Sequence, residues 1–186
     1  NTNESSETVS DETIDVEDTQ SQVAYITIDI KNSGTLTEIL NLLSDYNLSA
    51  TLFVGKNALL GEDNTLRRVY ASRHSLGVYA DSLDEANQIN DTLYAMAKTK
   101  SRLLRTDQTI ANAADGGYRL WGTNIDVRVR TAAQSIRLLD TRDSSTVLRF
   151  DDSETSLSRM KRVFSYINEK HFITRTLDVT TTPVTP

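Results

Sequence analysis

Cysteine is absent from this chain. That excludes disulfide staples and any thiolate nucleophile or ligand, and fits a bacterial surface protein as well as a cytosolic one. Histidine is nearly as scarce, with only His74 and His171, and a lone histidine is more often a packing or capping residue than a metal ligand. No stretch is long and apolar enough to cross a bilayer. Both prolines fall in the last seven residues, TTTPVTP, which read as a flexible end. A basic excess is missing too. The formal charge of −6 is concentrated at the front, where residues 1–22 hold Glu4, Glu7, Asp11, Glu12, Asp15, Glu17 and Asp18 and no base. Taking those seven from 26 acids leaves 19 against 20 bases, a net of +1 for the remainder. Neither nucleic acid nor an anionic membrane is indicated as a partner.

What is present suffices for one domain with a real core: 186 residues, 38% hydrophobic and 25% charged. The composition divides it into an acidic leader (1–22), a patterned body (23–178) and a short tail (179–186). The leader cannot offset its own ordering entropy and reads as a solvated tether. The sequence opens on Asn1 and not Met. An upstream signal or membrane anchor would account for this, as would an arbitrary boundary.

Within the body, short β-branched or aromatic runs alternate with amphipathic segments. Seven strands are predicted: 23–30, 49–54, 75–80, 101–106, 118–126, 146–150 and 171–177. Leu36, Ile39, Leu40, Leu43 and Tyr46 recur at helical spacing, as do Leu157, Met160, Val163, Phe164 and Ile167. Ser33 or Thr35 can cap the first of these helices and Ser153 the last. Asn47 and Gly116-Gly117 suit left-handed stops. Strands alternating with helices imply a mostly parallel sheet, closed or open, with its functional face at the carboxyl ends of the strands.

Those ends carry Asp29, Gly55, Tyr79 with Asp81, Arg105 with Asp107, Asp126, and Phe150 with Asp151 and Asp152. In order and spacing they resemble the polysaccharide deacetylases with a NodB homology domain, over Val23 to about Asp178. The first strand end, Thr27-Ile28-Asp29-Ile30-Lys31, is similar to the family's Thr-Phe-Asp-Asp-Gly. SATLFVG resembles its Ala-Thr-Phe-Phe strand, and Arg73-His74-Ser75-Leu76-Gly77-Val78-Tyr79 its Gly-His-Glu-Ile-Gly-Asn-His. LLRTDQ keeps the Arg of a Phe-Arg-Pro-Pro-Tyr-Gly strand, GYRLWGTNID is similar to the fifth strand, and VLRFDD resembles a Leu-Leu-His-Asp end. The resemblance implies an α/β fold, a distorted (β/α)7 barrel of mostly parallel strands, and removal of acetyl groups from peptidoglycan or chitin-like sugars.

The departures fall on the chemistry. By this resemblance Asp29 stands at the position of the general base and Arg105 at that of the residue orienting it. Ile30, Tyr79 and Leu83 stand where an Asp-His-His metal set is implied, and Phe150 where a general-acid histidine is. A deacetylase of this type needs a cation to polarise the carbonyl, a base and an imidazole acid. An aliphatic side chain cannot ligate, nor can Phe150 donate a proton. The expectation is therefore a non-catalytic domain with no metal and no cofactor. Asp29 and Arg105 are expected to form a buried ion pair, either structural or anchoring a sugar or peptide ligand, and Tyr79, Trp121, Asp126, Phe150 and Asp151 to line a ligand groove. The aromatic residues either stack on sugar or fill the space of a lost metal centre. Asp151, Asp152 and Glu154 read as helix-capping rather than Ca²⁺-binding residues. The expected partner is a glycan or an envelope protein, at a bacterial surface or secreted. Three alternatives stand beside this: a metal-independent hydrolase using Asp29 and Arg105, a metal enzyme whose ligands lie elsewhere, and a structural spacer.

Overall fold

The computed structural model describes residues 22–60 and 63–186; the expectations for the leader up to Ser21 lie outside the described residues. The strands are β1 (Val23–Ile30), β2 (Ala50–Val54), β3 (Ser75–Tyr79), β4 (Leu103–Arg105), β5 (Arg119–Leu120), β6 (Ile125–Asp126), β7 (Thr146–Asp151) and β8 (Ile173–Thr174). Helices α1 (Leu36–Asp45), α2 (Asp63–Ala71), α3 (Leu83–Ala97), α4 (Ala132–Asp140) and α5 (Glu154–Glu169) alternate with them. Seven strands form one curled, wholly parallel run in the order β5-β4-β3-β2-β1-β7-β6. The short β8 pairs with the start of β1 through Val23 and Ala24. The mostly parallel sheet read from the strand pattern is present, and its curl gives the distorted (β/α)7 barrel that the resemblance implies.

Each central strand is buried on both faces, as parallel strands between two cores are. Alternation sends Ala24, Ile26, Ile28 and Ile30 of β1 outward into the core under the helices, with Leu52, Val54, Val78, Leu104, Leu148 and Phe150. Leu36, Ile39 and Leu43 of α1 and Leu157, Met160, Val163, Phe164 and Ile167 of α5 close that layer, the two stripes read from helical spacing. The inward side chains form a second, smaller cluster of Phe53, Leu103, Trp121, Val147 and Leu177 at the barrel centre. Fully burying such a side chain stabilises the fold by about 1.5–3 kcal/mol, so the outer layer dominates.

The local punctuation follows the sequence. Asn47 turns left-handed after α1 (φ 55°), and Gly117 does so before β5 (φ 79°). The Ser153 hydroxyl accepts from the Ser156 N–H at 3.1 Å and starts α5. Thr35 precedes α1, but its hydroxyl donates to the Asp152 carbonyl (2.8 Å) instead of capping the helix.

The predicted strand 171–177 shortens to β8, and a second misdrawn element is more informative. Residues 118–126, predicted as a single strand, form two short ones at opposite edges of the sheet, β5 beside β4 and β6 beside β7. The stretch between them bridges the open side of the barrel, with the Asn124 N–H bonded to the Val147 carbonyl at 2.9 Å and the Gly122 N–H to the Val184 carbonyl at 2.7 Å. Its apolar residues are buried because they plug the gap, not because they sit in a ladder. The tail, expected to be a flexible end, is fastened there too: the Thr181 carbonyl accepts from Arg119 Nη1 at 2.8 Å, and a side chain at Gly122 would collide with Thr185.

Candidate functional site

The carboxyl ends of β1, β3, β4, β6 and β7 bring together a closed network of charge. Asp29 ends β1 and is fully buried. Its Oδ1 accepts from Arg105 Nη1 at 3.3 Å. Its Oδ2 accepts from Arg149 Nε at 2.7 Å, with Arg149 Nη2 at 2.6 Å and Arg128 Nη1 at 3.8 Å. The expected Asp29–Arg105 pair exists, but Arg149 makes the closer contact.

Arg105 is also fully buried. Its guanidinium donates to Thr27 Oγ1 (2.6 Å) and to the carbonyls of Trp121 (3.3 Å) and Gly122 (3.0 Å), so its donors are well provided for. It stacks 4.4 Å from the centre of the Phe53 ring. Phe53 can lie there because β3 offers Gly77 beneath it; a Cβ at Gly77 would stand 2.5 Å from the ring. Burial draws the Arg105 guanidinium down to about 10, against the pull of the Asp29 charge.

Asp107, just past β4, forms the outer half of the network. Its Oδ1 accepts from Arg149 Nη2 (2.9 Å) and Arg128 Nη1 (3.5 Å), and its Oδ2 from the Tyr79 hydroxyl (2.7 Å) and Lys31 Nζ (3.5 Å). Burial alone would raise its carboxyl, but the Tyr79 hydroxyl and the two guanidiniums outweigh that and hold it well below the usual range. Asp126 and Arg128 form a two-pronged pair, Nε–Oδ1 at 2.9 Å and Nη2–Oδ2 at 2.8 Å. Lys31 also lies 4.8 Å from the Tyr79 ring centre. Four cations (Lys31, Arg105, Arg128 and Arg149) thus surround three carboxylates, Asp29, Asp107 and Asp126.

Of the residues expected at the site, Asp29, Arg105, Tyr79 and Asp126 converge. The other three do not. Phe150 points outward from β7 and is fully buried, its ring edge-on to Phe164 of α5 at 5.4 Å. Strand alternation is the reason: Val147 and Arg149 take the inner face, so Arg149 and not Phe150 occupies the inward place where the resemblance implies an imidazole. Trp121 is 2% exposed and packs inside the barrel with Phe53, Leu103 and Val147, so it offers no platform to a sugar. Asp151 faces α5, its Oδ1 accepting from the backbone N–H (3.1 Å) and hydroxyl (2.6 Å) of Ser153. Asp152 secures the loop after β1 through the Asn32 N–H at 2.6 Å. The helix-start reading fits Asp151 and Glu154, whereas Asp152 serves the loop after β1.

The sequence profile of the family described as polysaccharide deacetylase matches residues 16–135. This chain belongs to the polysaccharide deacetylase family. No curated protein matches it significantly. Among solved structures it resembles the polysaccharide deacetylase Bc1974 from Bacillus cereus, with TM-score 0.75 and 18% identity over 88% of this chain and 96% of that one. The peptidoglycan deacetylase PdaC from Bacillus subtilis is similar, with TM-score 0.74 and 16% identity over 85% and 89%. So is a mutant of BA3943, a CE4 family pseudoenzyme with restored enzymatic activity, with TM-score 0.69 and 12% identity over 85% and 66%.

The family resemblance implies a divalent cation beside Asp29, and the residues present do not fit one. Ile30 is aliphatic and buried in the outer core, and Leu83 opens α3 packed against the same core. The Tyr79 hydroxyl is bound to Asp107. His74 sits at the opposite end of the barrel, its Nδ1 accepting from the Ala50 N–H at 3.2 Å, and His171 lies just before β8. No group of three His, Cys, Asp or Glu side chains suited to a metal occurs among the described residues. The space around Asp29 is taken by guanidinium.

Proposed function

We propose that this member of the polysaccharide deacetylase family does not deacetylate and serves as a non-catalytic binding domain for glycan at a bacterial surface. One observation carries the reading. The carboxylate at the base position has no exposed surface, and both of its oxygens are engaged by Arg105 and Arg149. A general base must lie within hydrogen-bonding reach of the proton it takes, directly or through one water. Neither route is open to Asp29. Arg149 places a guanidinium where the resemblance implies an imidazole, and arginine does not serve as a proton donor near neutral pH.

Binding falls to the outer rim. The side chains of Lys31 and Asp107 are 40% and 37% exposed, and those of Arg128 and Asp126 are 18% exposed. Together with the Tyr79 hydroxyl they present donors and acceptors of the kind that sugar hydroxyls and amides require. Peptidoglycan is the favoured glycan because PdaC is a peptidoglycan deacetylase, and its location supports a secreted or surface setting for this chain. Among the described residues, no helix is long and apolar enough to cross a membrane.

The test has two arms. Acetate release from N-acetylglucosamine oligomers and peptidoglycan is measured with zinc, cobalt or nickel added; no release above background is expected. Amide shifts on titration with the same glycans are expected at Lys31, Tyr79, Asp107 and Arg128. Metal-dependent acetate release that disappears in Asp29→Asn overturns the non-catalytic reading. Silence of the rim toward every glycan, with binding of an envelope protein, moves the assignment to a protein partner.

A further inference from the structure

A shallow groove of about 560 Å³ runs along α4, lined by Val129, Arg130, Gln134, Arg137, Leu138 and Thr141. Two of its apolar side chains stand in solvent, Val129 at 73% and Leu138 at 40% exposure. Arg130 and Arg137 flank them, and neither takes part in an ion pair among the described residues. The groove therefore combines exposed apolar side chains with positive charge.

We infer that this groove is the docking site of the chain's own acidic leader, through residues 11–18. Three observations converge. The first is position. The described chain starts at Gln22, whose side-chain amide donates to the carbonyl of Arg142, next to the groove residue Thr141. Its carbonyl accepts from the Ile173 N–H at 2.9 Å, which fixes the exit point. The second is reach. The six residues from Val16 to Gln22 span about 20 Å when extended, whereas the nine residues of α4 rise only about 14 Å. The third is chemistry. Residues 11–18 read DETIDVED, two apolar side chains at strand spacing, Ile14 and Val16, among five carboxylates. In an extended conformation Ile14 and Val16 share one face and match Val129 and Leu138, while the acids meet Arg130 and Arg137. A short tether of this kind raises the local concentration of the segment to the millimolar range, where weak apolar and ionic contacts suffice.

The absence of native cysteine permits a clean test on the full chain. Ser10→Cys carries a single spin label, and paramagnetic broadening is read at every backbone amide. The expected result is strong broadening at Val129, Arg130 and Leu138 that persists on dilution. Arg130→Glu with Arg137→Glu, both at the surface, should lower the docked-to-undocked ratio about fivefold, since each exposed pair is worth only a fraction of a kcal/mol. Raised salt should act in the same direction. Unchanged amide shifts elsewhere verify that the charge-reversed protein is folded. Three outcomes overturn the inference: broadening indifferent to charge reversal, no broadening on α4, or broadening that appears only when spin-labelled chain is mixed with unlabelled chain carrying the isotope. The last would make the occupant a second copy.

Discussion

Replacing Asp29 by Asn tests the physics of the site directly. The substitution keeps shape and removes one negative charge. It leaves Arg105 fully buried and Arg149 with a side chain 9% exposed. Removing one partner of a buried ion pair costs about 3–5 kcal/mol, because the remaining charge is stranded. Two features hold the expected cost near the lower figure. Arg105 keeps Thr27 Oγ1 and two backbone carbonyls as acceptors, and Arg149 keeps Asp107 at 2.9 Å. A loss of about 3 kcal/mol with a urea slope near 2 kcal/mol/M moves the unfolding midpoint down by about 1.5 M. The shift should change little between low and high salt, since screening reaches buried pairs weakly. Combining Asp29→Asn with Arg149→Gln should cost at least about 1 kcal/mol less than the two separate losses added together. A variant within about 0.5 kcal/mol of the parent would show that the network contributes nothing to stability.

Gly77→Ala should cost about 1–3 kcal/mol by overpacking, because Phe53 must leave its place under Arg105; equilibrium unfolding measures it, and an unchanged midpoint would refute the stack. His74 should make stability fall as pH drops below about 6.5. Burial and then the Arg73 charge lower its folded pKa, so the unfolded chain takes the proton first; His74→Gln should flatten midpoints measured between pH 7.5 and 5.5. A second acid-side loss should begin below about pH 4. The depressed carboxyls of Asp107 and Asp126 contribute stability that is present above the unfolded value and lost as pH falls, while Asp152, raised by burial, works against it. Asp107→Asn should shrink that loss in acid denaturation curves.

The architecture was legible because every level of the sequence agreed on it. The β-branched runs, the two helical stripes, Asn47 and Ser153 each specify local structure without needing distant partners. Residues 118–126 misled because burial in a barrel plug and burial in a strand leave the same apolar pattern. The site was half legible. Asp29 and Arg105 stood out by their place at strand ends. Arg149 was readable as well, since Val147, Arg149 and Asp151 alternate with Leu148 and Phe150, but the Leu-Leu-His-Asp likeness drew attention to the wrong phase. Arg128 was not legible, because its place over Asp29 and Asp107 depends on a 3-10 turn after β6 that no periodicity marks.

The same network explains how a carboxylate can stay buried among residues that do not suit a metal ion. A buried anion must be offset by positive charge or removed. The cation that the family resemblance implies could supply that charge, and here guanidiniums do so from fixed covalent positions. Arg149 faces inward from β7 and reaches Asp29 and Asp107 at once, which ties the central carboxylate to the rim. A guanidinium is a poor Lewis acid but a good five-donor hub. It supplies charge balance at the barrel mouth but polarises a carbonyl poorly. On this argument Asp29 and Arg149 form one unit. An imidazole at position 149 alone would strand Asp29, and an Asp at position 30 would first have to leave the apolar core that Ile30 fills. Building a metal site here therefore demands several changes at once, each destabilising by itself.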